Sequence, residues 1–344
     1  MRKLLPILLL FCTQIVFAQE KQYQVASIGF YNVENLFDIE DDPAIRDEEY
    51  TPAGSRVWDA KKYAEKLDRL SEVVRQIGTD LNPDGLAVLG LAEIENRRVL
   101  EDFVAHDAVA ARNYQIVHYD SPDERGIDVA LLYQAKYFQP IKSRAIPVEI
   151  FRNGEQNFTR DVLHVEGLLN GDTIHIFVNH WPSRRGGERR SAPYRNMAAD
   201  TVKNVVDLLL ASNKDSKIII MGDLNDDPTS PSVKKHLAVK YDKKQLFDGD
   251  LYNPMYAYYK KGIGTLAYRD AWNLFDQIIL SEDLISPENN TYRLYKTAIF
   301  NEPFMRQSKG RFKGYPKRTF AGGKYDSGYS DHFPVYMHLI KEVR

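Results

Sequence analysis

Cysteine is nearly absent from this 344-residue chain: Cys12, close to the start, is the only one. A disulfide framework is therefore excluded, and the fold has to be stable without one. That is no obstacle at this length, because roughly three quarters of the unfolded surface can be buried. The chain also lacks an internal repeat, a low-complexity tract and any linker that would divide it. Positive charge is not in excess either, with 46 Lys plus Arg against 48 Asp plus Glu. Any affinity for phosphate must then be local.

What is present begins with MRKLLPILLLFCTQIVFAQ, in which two basic residues precede an apolar run from Leu4 to about Phe17. Val16 and Ala18 stand at the −3 and −1 positions of a cut before Gln19. This is the layout of a secretory signal, too short and wrongly flanked to span a membrane. We expect residues 1–18 to be a removable signal and residues 19–344 to form a single domain, exported to the periplasm or beyond the cell. Phe11 before Cys12 argues against a lipid-anchored thiol. Losing Arg2 and Lys3 leaves 44 basic residues against 48 acidic, a net charge near −4.

Short β-rich runs are expected at Val25–Asn32, Leu86–Leu91, Tyr114–His118, Asp128–Tyr133, Asp161–Leu168, Thr173–Val178, Lys217–Met221, Phe275–Leu280 and Val335–Leu339. Helical spacing appears over Ala60–Ile77, with Tyr63, Leu67, Leu70, Val73, Val74 and Ile77 on one face, and over Ser191–Ala211. Strands and helices mixed in this way read as an α+β fold of layered sheets. The acidic stretch Asp38–Tyr50, the tyrosine-rich stretch Tyr252–Tyr259 and the basic stretch Lys309–Lys324 read as surface loops.

Polar residues gather where the β-runs stop. In IGFYNVENLFD, Asn32 and Glu34 are two apart and share a face of an extended chain; an Asx-type turn is the structural alternative. Glu93 ends the apolar run GLAVLGLA as a metal ligand or as the capping acid of a helix over NRRVLEDF. His180 closes IHIFVNH and is followed by Arg184, Arg185, Arg189 and Arg190 around two glycines, which suits a grip on phosphate or a solvated face. After the buried run IIIM come Asp223 and Asn225, then the acidic turn Asp226–Pro228. Asp276 lies inside LFDQIILS, where a lone acid is costly unless paired. Finally GYSDHFP sets Asp331 and His332 before Pro334, either as a satisfied turn or as part of a site. Neighbours on an extended backbone face opposite ways, so both serve one site only if the chain turns there.

Taken in order, Asn32-x-Glu34, Glu93, His180, Asp223-x-Asn225, Asp276 and Ser330-Asp331-His332 resemble the endonuclease/exonuclease/phosphatase superfamily, whose fold is that of pancreatic DNase. The resemblance runs from about Ile28 to Leu339. The motifs NHWPSRRGG, WNLFDQIILS and GYSDHFPVY look most like its secreted bacterial nuclease branch.

The resemblance implies a four-layer α/β/β/α sandwich of two mixed, mostly antiparallel sheets with outer helices. It implies a phosphoester hydrolase using Mg²⁺, with Mn²⁺ or Ca²⁺ as substitutes, and a monomer with no membrane span. Glu93 would be the central metal ligand, with Asn32, Glu34 and Asp331 nearby. Asp223 would deprotonate the attacking water and Asn225 would hold it. His332, paired with Asp276, would present a charged imidazole to the phosphate, and His180 would stabilise it from the other side. Asp128 would orient His180, and Arg160, Arg184 and Arg185 would contact phosphate. The substrate expected is DNA or RNA. A phosphomonoester or phospholipid diester (inositol phosphatase or sphingomyelinase type) is the alternative, and a catalytically dead binding protein on the same fold is a third reading.

Overall fold

The computed structural model describes residues 21–152, 154–287 and 290–343, so the expected signal at residues 1–18 lies outside the described residues. Twelve strands build two large sheets: β1 (Tyr23–Leu36), β2 (Leu86–Ile94), β3 (Tyr114–His118), β4 (Asp128–Gln134), β5 (Phe138–Ile146), β6 (Val162–Leu169), β7 (Asp172–His180), β8 (Lys217–Asp223), β9 (Leu251–Tyr252), β10 (Asp276–Ser281), β11 (Arg293–Ile299) and β12 (Val335–Glu342). One sheet has the order β11-β12-β1-β2-β4-β3 and the other β9-β10-β8-β7-β6-β5. Each contains one parallel pair, β1/β2 or β7/β8, among antiparallel neighbours.

Alternation along the strands explains why the sheets stack. In β1, Ile28 and Phe30 enter the core between the sheets, while Tyr31 and Val33 enter a second core outside. In β8, Ile219 and Met221 face the inner core, whereas Ile218 and Ile220 face a third one. A strand buried on both faces carries an unbroken apolar run, and that is how both segments read.

Helices cover the outer faces. Helix α1 (Ala60–Val74) starts on Asp59, whose side chain accepts from Lys62 N at 2.9 Å, and it buries Leu67, Leu70, Val73 and Val74 against the first sheet. Helix α2 (Arg97–Ala105) adds Val99, Leu100 and Phe103 to the same core. Helix α3 (Glu188–Ser212) lays Ala198, Val202 and Val206 on the second sheet. Each fully buried aliphatic side chain is worth about 1.5–3 kcal/mol, so Leu70→Ala would cost about 2–5 kcal/mol. The result is the four-layer sandwich that the resemblance implied. Among the described residues, no helix is long and apolar enough to cross a membrane.

Candidate active site

The C-terminal ends of both parallel pairs open at one end of the sandwich. Register in the second sheet sets Asp223 between His180 on β7 and Asp276 on β10. Gly222 makes this approach possible, because a Cβ there would lie 2.2 Å from the Asn179 carbonyl oxygen. In the first sheet Asn32 pairs with Ala92, and a bulge between Ala92 and Ile94 carries Glu93 outward with φ at 66°. Glu34 (φ 54°) and Asn225 (φ 49°) are also left-handed, a conformation that costs a residue with a side chain roughly 1–2 kcal/mol.

The segment before β12 is not a strand, as the pairing of Asp331 with His332 in one site requires. Ser330 Oγ donates to the Asn32 carbonyl (2.7 Å) and accepts from His332 N (3.0 Å), which fixes the turn. His332 Nδ1 then lies 2.7 Å from Asp276 Oδ2, and its Nε2 is 3.8 Å from Asp223 Oδ2. Opposite it, His180 Nε2 is 3.8 Å from Asp223 Oδ2 and 3.9 Å from Glu93 Oε1. Asn225 N donates to Asp223 Oδ1 (2.9 Å), and Asn225 Nδ2 donates to the Trp181 carbonyl (2.9 Å).

The two histidines are held in opposite charge states. Burial opposes a charge on His332, but Asp276 and Asp223 outweigh it, so the imidazole is held protonated well above its ordinary value. His180 is held neutral, well below its ordinary value, by burial and then by Arg160. Asp223 is pushed up by burial, with Asp276 and Glu93 adding to the effect against His332. Among the described residues, buried Asp276 Oδ1 and His180 Nδ1 have no hydrogen-bond partner.

The donor chemistry fits a hard divalent cation. Glu93 and Asp223 turn carboxylate oxygens toward one point, both reached by Asn32 Nδ2 (3.2 and 3.0 Å), and their charge is in excess. Asn32 itself is placed differently from expectation. Its Oδ1 accepts from Glu34 N (3.0 Å) and its amide N–H group faces the acids, so it clamps Glu93 to Asp223.

A second rank lies beside this cluster. Glu34 Oε2 accepts from Thr319 N (2.6 Å), and Arg318 links the two expected ligands, bonding Asp331 and standing 3.6 Å from Glu34 Oε1. Beneath it Lys66 donates to Thr319 Oγ1 (2.7 Å) and to the Tyr329 carbonyl (3.0 Å). Burial and then Asp331 push Glu34 upward. Burial pushes Lys66 down, resisted by the charges of Glu34, Asp331 and Glu93. Sequence reasoning did not assign Arg318 or Lys66 individually. The available signal for Lys66 was a lysine on the apolar stripe of α1, three residues after Tyr63.

Three further expectations are corrected. Asp128 does not orient His180: it bonds His118 Nε2 (3.0 Å), on the neighbouring strand β3, and Ser121 N (2.8 Å), and among the described residues His180 Nδ1 has no hydrogen-bond partner. Arg160 is buried, with Nη1 on Asp123 (3.0 Å) and its other nitrogens on the carbonyls of His180 (3.2 Å) and Trp181 (2.7 Å); it supports the His180 backbone and is not free to clamp phosphate. Arg184 is likewise engaged, by the Asn225 carbonyl (2.9 Å) and Asp226 (3.1 Å), with its guanidinium over Phe275. Arg185 is exposed. The helix-capping role weighed for Glu93 belongs to Asn96, whose side chain accepts from Val99 N (3.1 Å).

Two six-stranded mixed sheets ending in carboxylates, an amide and an acid-paired histidine define a DNase-type, metal-dependent phosphoester hydrolase. The chain belongs to the Endonuclease/Exonuclease/phosphatase family, whose model matches residues 27–341. No curated protein sequence matches it. Among solved structures, an endonuclease/exonuclease/phosphatase family protein from Bacteroides thetaiotaomicron shares the fold at TM-score 0.56 and 14% identity, covering 94% of this chain and 98% of that one. TDP2 from D. rerio, complexed with a single-strand DNA product, gives TM-score 0.55 and 14% identity over 92% and 98% of the two chains. The human Nocturnin catalytic domain with bound sulfate gives 0.53 and 12% over 94% and 98%.

Proposed function

We propose that the protein is an exported phosphodiester hydrolase that cuts DNA or RNA with water, acting as a monomer with Mg²⁺ as its ordinary ion and Mn²⁺ or Ca²⁺ as substitutes. One observation carries the catalytic reading: the row His180–Asp223–Asp276, with charged His332 on one side and Glu93 on the other.

Glu93 would hold the cation, with Glu34 and Asp331 close by. When bound, the cation draws charge from the phosphoryl oxygens and makes water more acidic. Asp223 Oδ2 takes the proton of the attacking water, while the Asn225 N–H on Oδ1 fixes the carboxylate plane. Asp276 holds Nδ1 of His332 so that Nε2–H points at the phosphoryl group, where negative charge builds up. His180 Nε2 faces the same space from the second sheet and, being neutral, serves as donor or acceptor without adding charge.

Support for a polymeric phosphodiester comes from basic groups beside the site: half-exposed Arg318, exposed Arg185 and the segment leading up to Arg318. Such groups contact backbone phosphates without reading bases. The similar fold of TDP2, solved with a single-strand DNA product, is consistent with this. Export rests on the leader composition.

A panel of plasmid, single-stranded DNA, RNA, inositol phosphate and sphingomyelin, each with Mg²⁺ and with EDTA, tests the reading. Nucleic acid should be cut only with the metal, and less tightly bound as salt rises. Hydrolysis confined to inositol phosphate or sphingomyelin would move the substrate to a small phosphoester or a lipid. Recovery of protein beginning near Gln19 from the periplasm or medium tests export.

A further inference from the structure

Arg318 lies in the basic stretch Lys309–Lys324, whose composition reads as a surface loop, but its backbone is held on both sides. Lys317 N donates to the Met305 carbonyl (2.8 Å), and the Lys317 carbonyl accepts from Tyr329 N (2.7 Å). Thr319 N donates to Glu34 Oε2 (2.6 Å), and the Thr319 carbonyl accepts from Asp326 N (2.9 Å). Gly328 permits this contact, because a Cβ there would lie 2.1 Å from the Lys317 carbonyl oxygen and 2.2 Å from that of Arg318. Fixed backbone therefore delivers the guanidinium to the two acids. Its Nη2 bonds Asp331 and its Nε stands 3.6 Å from Glu34 Oε1, which leaves Nη1 without a protein acceptor among the described residues.

Charge divides unequally between the two parts of the site. Around Asp223, the three carboxylates Glu93, Asp223 and Asp276 face one imidazolium, His332. The two negative charges left over match one divalent cation. In the rank beside them, the two carboxylates Glu34 and Asp331 face two cations, Arg318 and Lys66. Lys66 is only 1% exposed and is tied to Thr319 Oγ1 (2.7 Å) and the Tyr329 carbonyl (3.0 Å), so it is as fixed as the arginine. This rank balances its own charge, and a metal ion entering it would meet two positive groups already in place.

We propose that Arg318, backed by Lys66, fills the place that a second divalent cation would take between Glu34 and Asp331, so that the site works with a single ion, held at Glu93. The inference rests on the metal-dependent reading of the site given above. In sites with two metals, the paired ions clamp the attacking and leaving oxygens. Here the second positive charge belongs to the chain. A guanidinium is suited to that place, because it stays charged at every working pH and offers its N–H groups in a fixed fork. With Asp331 and Glu34 on Nη2 and Nε, the Nη1 edge is left for an oxygen of the phosphoester.

Counting bound ions tests this without any substrate. Mn²⁺ titrated into the metal-free protein and followed by electron paramagnetic resonance should fill one place per chain, and Glu93→Gln should weaken that ion about tenfold or more by removing a ligand charge. Arg318→Ala should admit a second, weaker Mn²⁺. Added Mn²⁺ should then raise the melting temperature of this variant more than that of the parent, because the ion relieves the repulsion between Glu34 and Asp331. Arg318→Lys restores a positive charge and should return the count to one. Two ions in the parent, or a single ion in folded Arg318→Ala protein, would overturn the proposal, and the count in the parent decides by itself should that variant not fold. A parent that binds no ion would sink the metal-dependent reading together with this one.

Discussion

His332 and His164 are both almost wholly removed from water, yet the fold treats them oppositely. His332 sits at the mouth of the sandwich, where Asp276, Asp223 and Asp331 surround it and keep it charged. His164, on the outer face of the second sheet, meets His175 (3.3 Å) and stacks on Phe177, with Arg144 and Lys142 bearing on it. Burial first, and then those positive neighbours, push it down to about 3. The same side chain becomes a fixed cation or a neutral wedge according to what the register sets beside it. Burial alone makes neither a site.

The contrast breaks most sharply at the site. His332→Ala or Asp223→Asn should lower turnover by about 100–1000-fold, with the melting temperature near that of the parent. Either variant retaining near-normal turnover would remove its residue from the mechanism. Next comes Asp276→Asn, which leaves His332 in place without its buried acid. A loss of roughly 10–100-fold is expected, with the pH profile of turnover moved toward acid because the imidazole is less easily kept protonated. A simple structural role would leave that profile in place.

On the other face the effect is on stability. His164 takes up a proton near pH 6.5 when unfolded but only near pH 3 when folded, so the unfolded chain binds more protons between those values. Stability should therefore fall as pH drops from about 6.5 toward 3, by at most about 5 kcal/mol for this residue. His164→Phe should flatten that acid limb in denaturant titrations, although His175, also lowered by burial, keeps part of it. Least affected is Arg184→Ala. Because Arg184 is held by Asp226 and Asn225, the salt dependence of KM should change little while the melting temperature falls; a clear loss of salt dependence would restore Arg184 to the phosphate contacts.

Much of the architecture was legible because β-runs buried on both faces are long and apolar. Tyr114–His118 emerged with its predicted ends, and β7 and β8 extend the predicted runs by one to two residues, as far as His180 and Asp223. Three strands were not seen, β5, β9 and β11, and all are sheet edges: β5 and β11 mix polar and exposed residues, including Pro140 in β5, and β9 is only two residues long. That Asp276 needs a partner was legible, since a lone acid in an apolar strand is costly, but His332 as that partner came from the family resemblance. Partners set by cross-strand geometry were not legible. His118 reaches Asp128 diagonally across β3/β4, and nothing in the spacing of Asp128 from His180 reveals that they lie in different sheets. The arginines looked like phosphate ligands because side-chain charge is visible in a sequence, whereas the carbonyls that hold Arg160 and Arg184 belong to the backbone and are not.

The pairing of β1 with β12, from Tyr23 opposite Glu342 to Phe30 opposite Val335, has a consequence in time. Asn32 lies in the first strand of the fold and is made well before His332, and Ser330 joins the two through the Asn32 carbonyl. A nascent or C-terminally truncated chain therefore holds every other piece of the site but cannot complete it. The site therefore cannot be assembled before the turn ahead of β12 has been made and has met β1.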